Sequence, residues 1–318
     1  MAQQRKRRKK NQDALLGLIA ILAVLLAVAI IVALSLPPQD PSPTYPSESQ
    51  TQSLSEDTTE PTQTQPPADG WQEIGGNRYY YRNGTPHTGW LELDGVKYYF
   101  FENGVMAKGT VSIADRNYFF SSVGEFFHVV NPWNYVPEDY QPNLQELPKA
   151  YGEGQFIDSS CYAALLQMLD DCNAAMNGKT EAYVVSAYRS MQRQTNNFNN
   201  KVNRVMADNP TLTRAQAEGI AATVVARPGT SEHQLGLAVD IIDTQLWALE
   251  EEQEDLPAQK WLMENCWRYG FLLRYPKGTT DSTGIIYEPW HYRYLGVALA
   301  TEIHNSGLTV EQYLDSLC

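Results

Sequence analysis

Hydrophobic and polar positions divide the chain of 318 residues into five stretches of different character. A basic tail over 1–13 precedes an uncharged and almost entirely apolar run over 14–36. A polar stretch over 37–69 follows, then alternating aromatic positions over 70–129 and a mixed pattern over 130–318. We interpret these stretches as a cytoplasmic tail, a membrane span, a linker, a repeat module and one globular domain.

The apolar run from Ala14 to Leu36 contains no charged residue and follows the sequence RKRRKK at 5–10. As a helix it would extend over roughly 34 Å, enough for a hydrocarbon core of about 30 Å. A cleaved signal peptide is the alternative, but such peptides usually have an apolar run of only about 7–15 residues. We therefore predict a single-pass membrane anchor with residues 1–13 in the cytoplasm and the rest of the chain outside.

Composition adds two expectations for the part beyond the span. Residues 37–69 are rich in Pro, Ser, Thr and Gln, which is typical of a disordered spacer, although an unselected tail would look the same. The exported part has 18 Lys and Arg against 36 Asp and Glu. This acidic balance argues against a nucleic-acid partner, because neutralising phosphates requires a basic surface.

Three units with a period of 19–20 residues begin at Gly70, Gly89 and Gly109. Their centres read RYYYRNG, KYYFFENG and NYFFSSVG. Alternating aromatic residues that lead into Asn-Gly predict β-hairpins, with turns at 83–84, 103–104 and, as Val-Gly, 123–124. Repetition at a fixed period indicates an array of such units.

These units resemble the cell-wall-binding repeats of Gram-positive surface proteins, which include choline-binding and glucan-binding modules. The resemblance implies ligand sites between neighbouring hairpins, where stacked aromatic rings suit a quaternary ammonium or a sugar face. The candidate residues are Trp71, Tyr80, Trp90 and Tyr99. Arg78 and Lys97 stand where choline binders often carry another aromatic residue, so wall glycans or teichoic acid are the broader expectation. A stalk in which the rings only pack hairpin against hairpin is the alternative.

Four cysteines lie beyond the predicted span, where disulfides can persist: Cys161, Cys172, Cys266 and Cys318. If residues 159–176 form one helix, Cys161 and Cys172 are about 16 Å apart along its axis and cannot bond to each other. Other pairings stay open, and so does the alternative that these residues are small buried thiols.

The segment TSEHQLGLAVD at 230–240 places His233 seven residues before Asp240. Residues 236–242 have the composition of a buried strand, which predicts Gly236, Ala238 and Asp240 on one face. A buried aspartate must be paired or bound, and small neighbours leave room for a metal ion. The alternative is a turn histidine beside an ion-paired aspartate.

A second segment, YEPWHYRY at 287–294, places Glu288 three residues before His291, after a strand predicted to begin at Gly284. Two histidines and one aspartate form the open ligand set of catalytic zinc sites, with water in the fourth position. Zinc lowers the pKa of its bound water to about 7, and a nearby carboxylate can take the proton during attack on a peptide carbonyl. The two segments therefore favour zinc-assisted hydrolysis over a core histidine without a catalytic role.

The S-x-H-x-x-G-x-A-x-D pattern at 231–240 and the E-x-W-H pattern at 288–291 resemble zinc D-alanyl-D-alanine carboxypeptidases of the VanY type. The resemblance extends to 129–147, 186–194 and 269–276 and so covers nearly all of 129–318. It implies a compact α+β fold with a central antiparallel sheet flanked by helices.

The resemblance also implies a role for each matching residue. One zinc ion is held by His233, Asp240 and His291, and Glu288 is the general base. Arg189 holds substrate and stabilises the developing oxyanion, as its guanidinium suits a carboxylate or carbonyl oxygen. A salt bridge at a helix start is the alternative for Arg189. Ser231 and Gln194 match positions near the substrate, but a turn serine and a helix-face amide are equally good interpretations. Residues 195–226 are expected to form helix, loop and helix over the cleft.

The expected function is a membrane-anchored enzyme that removes the terminal D-Ala of peptidoglycan stem peptides outside a Gram-positive-type cell. A D-Ala-D-Ala dipeptidase or another stem-peptide peptidase, including an endopeptidase, is the alternative enzyme. Location weakens the dipeptidase, because free D-Ala-D-Ala is made in the cytoplasm. A non-catalytic wall-binding adaptor is the alternative of another class.

Overall fold

The computed structural model describes residues 67–317. The predicted span at 14–36, most of the predicted linker and Cys318 lie outside these residues. Between residues 67 and 317, no helix is both long enough and apolar enough to cross a membrane. The described residues form β-hairpin repeats followed by a mixed α+β domain, as the sequence predicts.

Three antiparallel hairpins follow one another over 70–120 and confirm the predicted array. They turn at 75–76, 94–95 and 114–115, where both residues have positive φ. Such turns match the right-handed twist of the paired strands. The strands are β1 (Gly70–Ile74) and β2 (Asn77–Arg82), β4 (Gly89–Leu93) and β5 (Val96–Phe100), and β6 (Gly109–Ile113) and β7 (Arg116–Phe120), with short third strands β3 (Thr85–Pro86) and β8 (Phe126–Phe127).

The predicted turns are present, and each closes a second, shorter hairpin. Asn83-Gly84 joins β2 to the antiparallel β3 with both residues at positive φ, Phe100 and Met106 form an antiparallel bridge across 103–104, and Val123-Gly124 lies between β7 and the antiparallel β8. Each aromatic run also pairs with the strand before it, because Trp71 lies opposite Tyr80 and Trp90 lies opposite Tyr99. The turn-forming pairs Gly75-Gly76 and Asp94-Gly95 then close the hairpins.

A four-stranded antiparallel sheet forms the centre of the following domain, as predicted. Its strands, in sheet order, are β11 (Ala182–Ser186), β12 (Ala238–Asp243), β14 (His291–Tyr294) and β13 (Phe271–Leu273). Every residue of β12 is buried. A separate pair consists of β9 (Leu144–Glu146) and β10 (Phe156–Asp158).

Two predicted strand starts are wrong, and in both cases a glycine with positive φ is the reason. Gly236 has a φ of 72° and ends a 3-10 turn at Glu232–Leu235, so β12 begins at Ala238. Gly284 has a φ of 76° and ends a short helix, so β14 begins only at His291. Backbone in this left-handed region does not continue into a strand.

Helices cover the sheet and complete the core. The predicted helix over 159–176 is confirmed, and Asp158 caps it by accepting a hydrogen bond from the Ser160 amide. The predicted helix, loop and helix over 195–226 is also present, although its first helix begins at Met191. The helices are α1 (Lys149–Gly152), α2 (Ser159–Met176), α3 (Met191–Asp208), α4 (Arg214–Ala222), α5 (Pro257–Asn265), α6 (Thr280–Thr283), α7 (Val297–Ser306) and α8 (Val310–Ser316).

Three cysteines belong to this core as free thiols. Cys161 and Cys172 on α2 and Cys266 after α5 are buried among aliphatic side chains. Burial raises the pKa of each thiol to about 12. The buried-thiol interpretation therefore holds for these three residues, and Cys318 lies outside the described residues.

The third hairpin shares a core with the α+β domain. Phe119 on β7 packs in one cluster with Leu299 and Ile303 of α7 and with Tyr313 of α8. The Ser122 amide donates to the Tyr313 hydroxyl at 3.0 Å. This packing holds the last repeat directly against the domain.

Candidate metal centre

Strand register brings two of the predicted metal ligands together. Asp240 on β12 lies directly opposite His291 on the neighbouring β14. Nδ1 of His291 is 3.1 Å from Oδ1 of Asp240, and Nε2 of His233 is 3.2 Å from the same oxygen. One potential ligand atom from each residue lies within 4.8 Å of the other two, and all three residues are buried.

His233 is positioned by the 3-10 turn that precedes β12. Its Nδ1 donates to the Ala187 carbonyl oxygen at 2.7 Å, so Nε2 carries the free lone pair that faces Asp240. Gly236 ends this turn, and an added Cβ would come within 3.2 Å of the Asp158 amide nitrogen and Leu144 Cδ2. The glycine therefore serves the turn and its packing. The expectation from the sequence that Gly236 opens the strand face for a metal is therefore wrong, because the glycine precedes β12.

Two of the three residues have pKa shifts that favour the form in which they bind a metal, a neutral His233 and an ionised Asp240. Burial lowers the pKa of His233 to about 4, with Arg189 adding to the effect. Burial alone would raise the pKa of Asp240, but His233 and Arg189 hold it well below its usual value. Burial also opposes the charged form of His291, yet its hydrogen bond with Asp240 raises the pKa to about 9. A metal ion at this point would therefore displace a proton from His291.

Glu288 lies beside this cluster in the turn that leads into β14. Its Oε2 is 3.7 Å from His291 Nδ1, and its backbone amide donates to the Tyr275 carbonyl at 3.1 Å. Burial raises the pKa of Glu288 to about 8, opposed by His291 and assisted by Asp240. A carboxyl group with such a pKa can accept and return a proton near neutral pH.

Arg189 connects three parts of the site. Its Nη2 donates to Asp240 Oδ2, its Nε donates to Ser186 Oγ at 2.8 Å, and its amide donates to the His233 carbonyl at 3.1 Å. Within residues 67–317 its Nη1 has no hydrogen-bond partner. Arg189 thus forms a salt bridge with Asp240 just before α3.

Ser231 and Gln194 are less closely tied to the cluster. Ser231 precedes the 3-10 turn and makes no side-chain cap to it. Gln194 on α3 donates to the Ala226 carbonyl at 2.6 Å, and its buried Oε1 has no partner within the described residues. Neither side chain hydrogen-bonds to His233, Asp240 or His291 in this part of the chain.

A buried charge network behind the cluster was missed by the sequence reasoning. Glu232 accepts a hydrogen bond from Arg274 Nε at 2.8 Å and lies 3.2 Å from Arg293 Nη1. Its Oε2 is 3.5 Å from His291 Nε2, the ring nitrogen that points away from Asp240. Arg274 also pairs with Glu311 of α8. The available signal was a charged residue inside the apolar run FLLRYP, because a buried charge needs a partner.

The four aromatic candidates of the repeats form two separate pairs. The rings of Trp71 and Tyr80 are 5.3 Å apart, and those of Trp90 and Tyr99 are also 5.3 Å apart. The guanidinium of Arg78 lies over Trp71 at 4.4 Å from the ring centre. Trp90 is 41% exposed, and no Lys or Arg within residues 67–317 lies over it. The second pair is thus the more open one.

Comparison with known proteins finds matches for the repeats and for the domain that follows them. The family model described as D-alanyl-D-alanine carboxypeptidase, VanY, matches residues 154–297. The chain also covers 97% of a solved VanY structure at 40% identity, over 59% of its own length, with a TM-score of 0.51. The chain belongs to the VanY family. A second model, described as putative cell wall binding repeat, matches 69–84 and 88–106.

Two further relatives are similar to the same part of the chain. A D-alanyl-D-alanine carboxypeptidase of Enterococcus faecalis is 39% identical over 59% of this chain and 65% of its own length, slightly less than two thirds of that protein. The structure of the LD-carboxypeptidase LdcB is 31% identical over 65% of this chain and 94% of that one, with a TM-score of 0.51. The solved VanY structure is a vancomycin resistance D,D-pentapeptidase in complex with Zn(II).

Proposed function

We propose that this chain is a zinc-dependent D-alanyl-D-alanine carboxypeptidase that removes the terminal D-Ala from peptidoglycan stem peptides outside the cell. The observation that carries the proposal is the buried group of His233, Asp240 and His291 with Glu288 beside it. Two imidazoles and one carboxylate suit Zn²⁺, and three protein ligands leave a position for water. The Zn(II) complex of the related VanY supports the same metal.

Each side chain then has a chemical task. Bound zinc supplies a Lewis acid that polarises a carbonyl oxygen and makes a water molecule more acidic. Glu288 takes the proton of the attacking water and returns it to the leaving amine. Arg189 donates from Nη1 to an oxygen of the substrate and, through Nη2, keeps Asp240 ionised and oriented. Ser231 and Gln194 are proposed to line the substrate side of the cleft.

We further propose that residues 14–36 anchor the protein in the membrane, with the linker and the repeats extending into the wall. The match of the repeats to a cell-wall-binding model supports this placement beside peptidoglycan. The acidic charge of the exported part is compatible with a peptide and glycan substrate and argues against nucleic acid.

Substrate choice is the direct test of this activity. We expect release of D-Ala from a stem pentapeptide ending in D-Ala-D-Ala with a kcat/KM at least about tenfold above that for the free dipeptide. A third substrate, the tetrapeptide that lacks the last D-Ala, tests the L,D activity suggested by the likeness to LdcB. Preference for the tetrapeptide or for the dipeptide, measured by mass spectrometry of the products, would contradict the D,D assignment.

Glu232 is expected to act on the metal through His291. With Nδ1 of His291 towards the metal, the Nε2 proton needs an acceptor, and Glu232 Oε2 is the carboxylate oxygen that faces it at 3.5 Å. Replacing Glu232 by Gln should weaken zinc binding about tenfold or more in chelator competition. Glu311→Gln is the matched control, because Glu311 pairs with the same Arg274 without facing His291. Equal losses of zinc affinity in both variants would show that Glu232 acts only through Arg274.

A further inference from the structure

A groove lies where the last repeat meets the α+β domain, and the site described above does not use it. One wall is formed by the second and third hairpins, and the other by the segment 133–141. Its volume is about 1110 Å³, slightly above the roughly 300–1,000 Å³ of most small-molecule sites. We call this space the junction groove. A groove of this size has room for a segment of a polymer.

Exposed aromatic rings line the junction groove on both sides. Trp90 is 41% exposed on the repeat side, while Trp133 and Tyr135 are 60% and 65% exposed on the opposite segment. Large rings exposed together around a concavity are typical of a binding surface. The corresponding ring of the first repeat, Trp71, is covered by Arg78 instead. The open faces therefore belong to the junction with the α+β domain.

Charged residues of both signs line the groove together with these rings. Lys97 and Arg116 are cationic, and the acidic residues lining the groove are Glu92, Asp115, Glu138 and Asp139. The four acids outnumber the two cations and therefore oppose a phosphate-rich polymer. An uncharged ligand with many hydroxyl and amide groups can use these donors and acceptors together with the rings. A sugar polymer has this chemistry.

Segment 133–141 also contacts the loop and the turn that carry His233. The Val136 amide donates to the Gly229 carbonyl at 2.8 Å, and the ring of Tyr135 lies against the same glycine. Tyr140 donates to the Leu235 carbonyl at 3.0 Å, at the end of the turn that carries His233. One short segment therefore borders the groove and supports the turn of the metal site.

We propose that the junction groove binds the glycan strand of peptidoglycan, the neutral polymer of N-acetylated amino sugars to which the stem peptides are attached. This proposal rests on the proposed peptidase function, because the benefit of binding a strand is that its stem peptide is presented to the metal centre. Sugar rings stack on Trp90 and Trp133, and the surrounding charged side chains bind their polar groups.

The test compares two substrates on the full-length, zinc-loaded protein. One is the free stem pentapeptide, and the other is the same pentapeptide on an uncrosslinked glycan strand. Trp133→Ala is expected to raise the ratio of the KM for the glycan-linked substrate to the KM for the free peptide about five- to tenfold. The matched control is Trp247→Ala, because Trp247 is 67% exposed, packs against Tyr183 and does not line the groove. Its ratio should equal that of the wild type.

A second measurement separates this proposal from the peptidase assignment. Binding of peptide-free glycan strands to the zinc-loaded wild type and to Trp133→Ala is measured by calorimetry, which needs no turnover. If Trp133→Ala binds the strands more weakly than the wild type, this result by itself supports glycan binding in the junction groove, even if no tested peptide is cleaved. The proposal is overturned if the KM ratio and glycan binding are unchanged, or if free choline displaces the strand and so reveals a quaternary ammonium site.

Discussion

Replacing Glu288 by Gln is expected to reduce kcat for the pentapeptide by between about 100-fold and 10,000-fold while zinc stays bound. The carboxylate is the proposed acceptor of the proton from the attacking water, and an amide cannot perform this step. Glu288 is not among the three proposed zinc ligands, and its Oε2 is 3.7 Å from His291 Nδ1. Steady-state release of D-Ala and metal analysis of the purified variant check the two halves of this prediction.

The fold should tolerate this substitution. Burial disfavours the charged form of Glu288, as its pKa of about 8 shows, so an uncharged amide of the same shape removes no stabilising charge. Glu264→Gln on the exposed side of α5 is the matched control and should retain activity. Turnover by Glu288→Gln close to the wild-type rate would remove Glu288 from the role of general base.

Much of the fold could be predicted because the responsible patterns are local. The period of the repeats, the helix at 159–176 and the strand around Asp240 each depend on residues that are neighbours in sequence. The missed features depend on strand partners or on a glycine with positive φ, as at the starts of β12 and β14. The turn at Asn83-Gly84 was predicted from its own residues, but the sequence did not show that the aromatic run before it pairs backwards with β1 as well as forwards with β3.

The metal cluster could be predicted for a different reason. His233, Asp240 and His291 belong to two motifs whose residue types have few other uses together, and register on adjacent strands brings them into contact. For the buried network behind these residues, the sequence offered only one signal, the charge of Arg274 inside an apolar run. Glu232, Arg274 and Glu311 are separated by up to 79 positions, and only the packed structure shows that they form one buried network beneath His291.

Replacing His233 by Ala is expected to abolish both stoichiometric zinc binding and hydrolysis. His233 provides one of three proposed ligand atoms, and its Nδ1 hydrogen bond to Ala187 already aims Nε2 at Asp240. Loss of a ligand should weaken zinc binding by more than the 10–100-fold that follows loss of an outer hydrogen-bond partner. Inductively coupled plasma mass spectrometry on protein dialysed against a defined free zinc concentration measures this loss. His304→Ala, at an exposed position on α7, should keep its zinc.

Thermal unfolding provides a check that does not depend on activity. A ligand that binds only the folded state stabilises it by RT ln(1 + [L]/Kd), about 2.7 kcal/mol at a hundredfold excess over Kd. A chelator should therefore lower the Tm of the wild type and of His304→Ala. It should leave the Tm of folded His233→Ala unchanged, because that variant has no bound zinc to lose. A chelator-induced shift of wild-type size in His233→Ala would mean that the stabilising metal is held elsewhere, and the assignment of His233 as a ligand would be wrong.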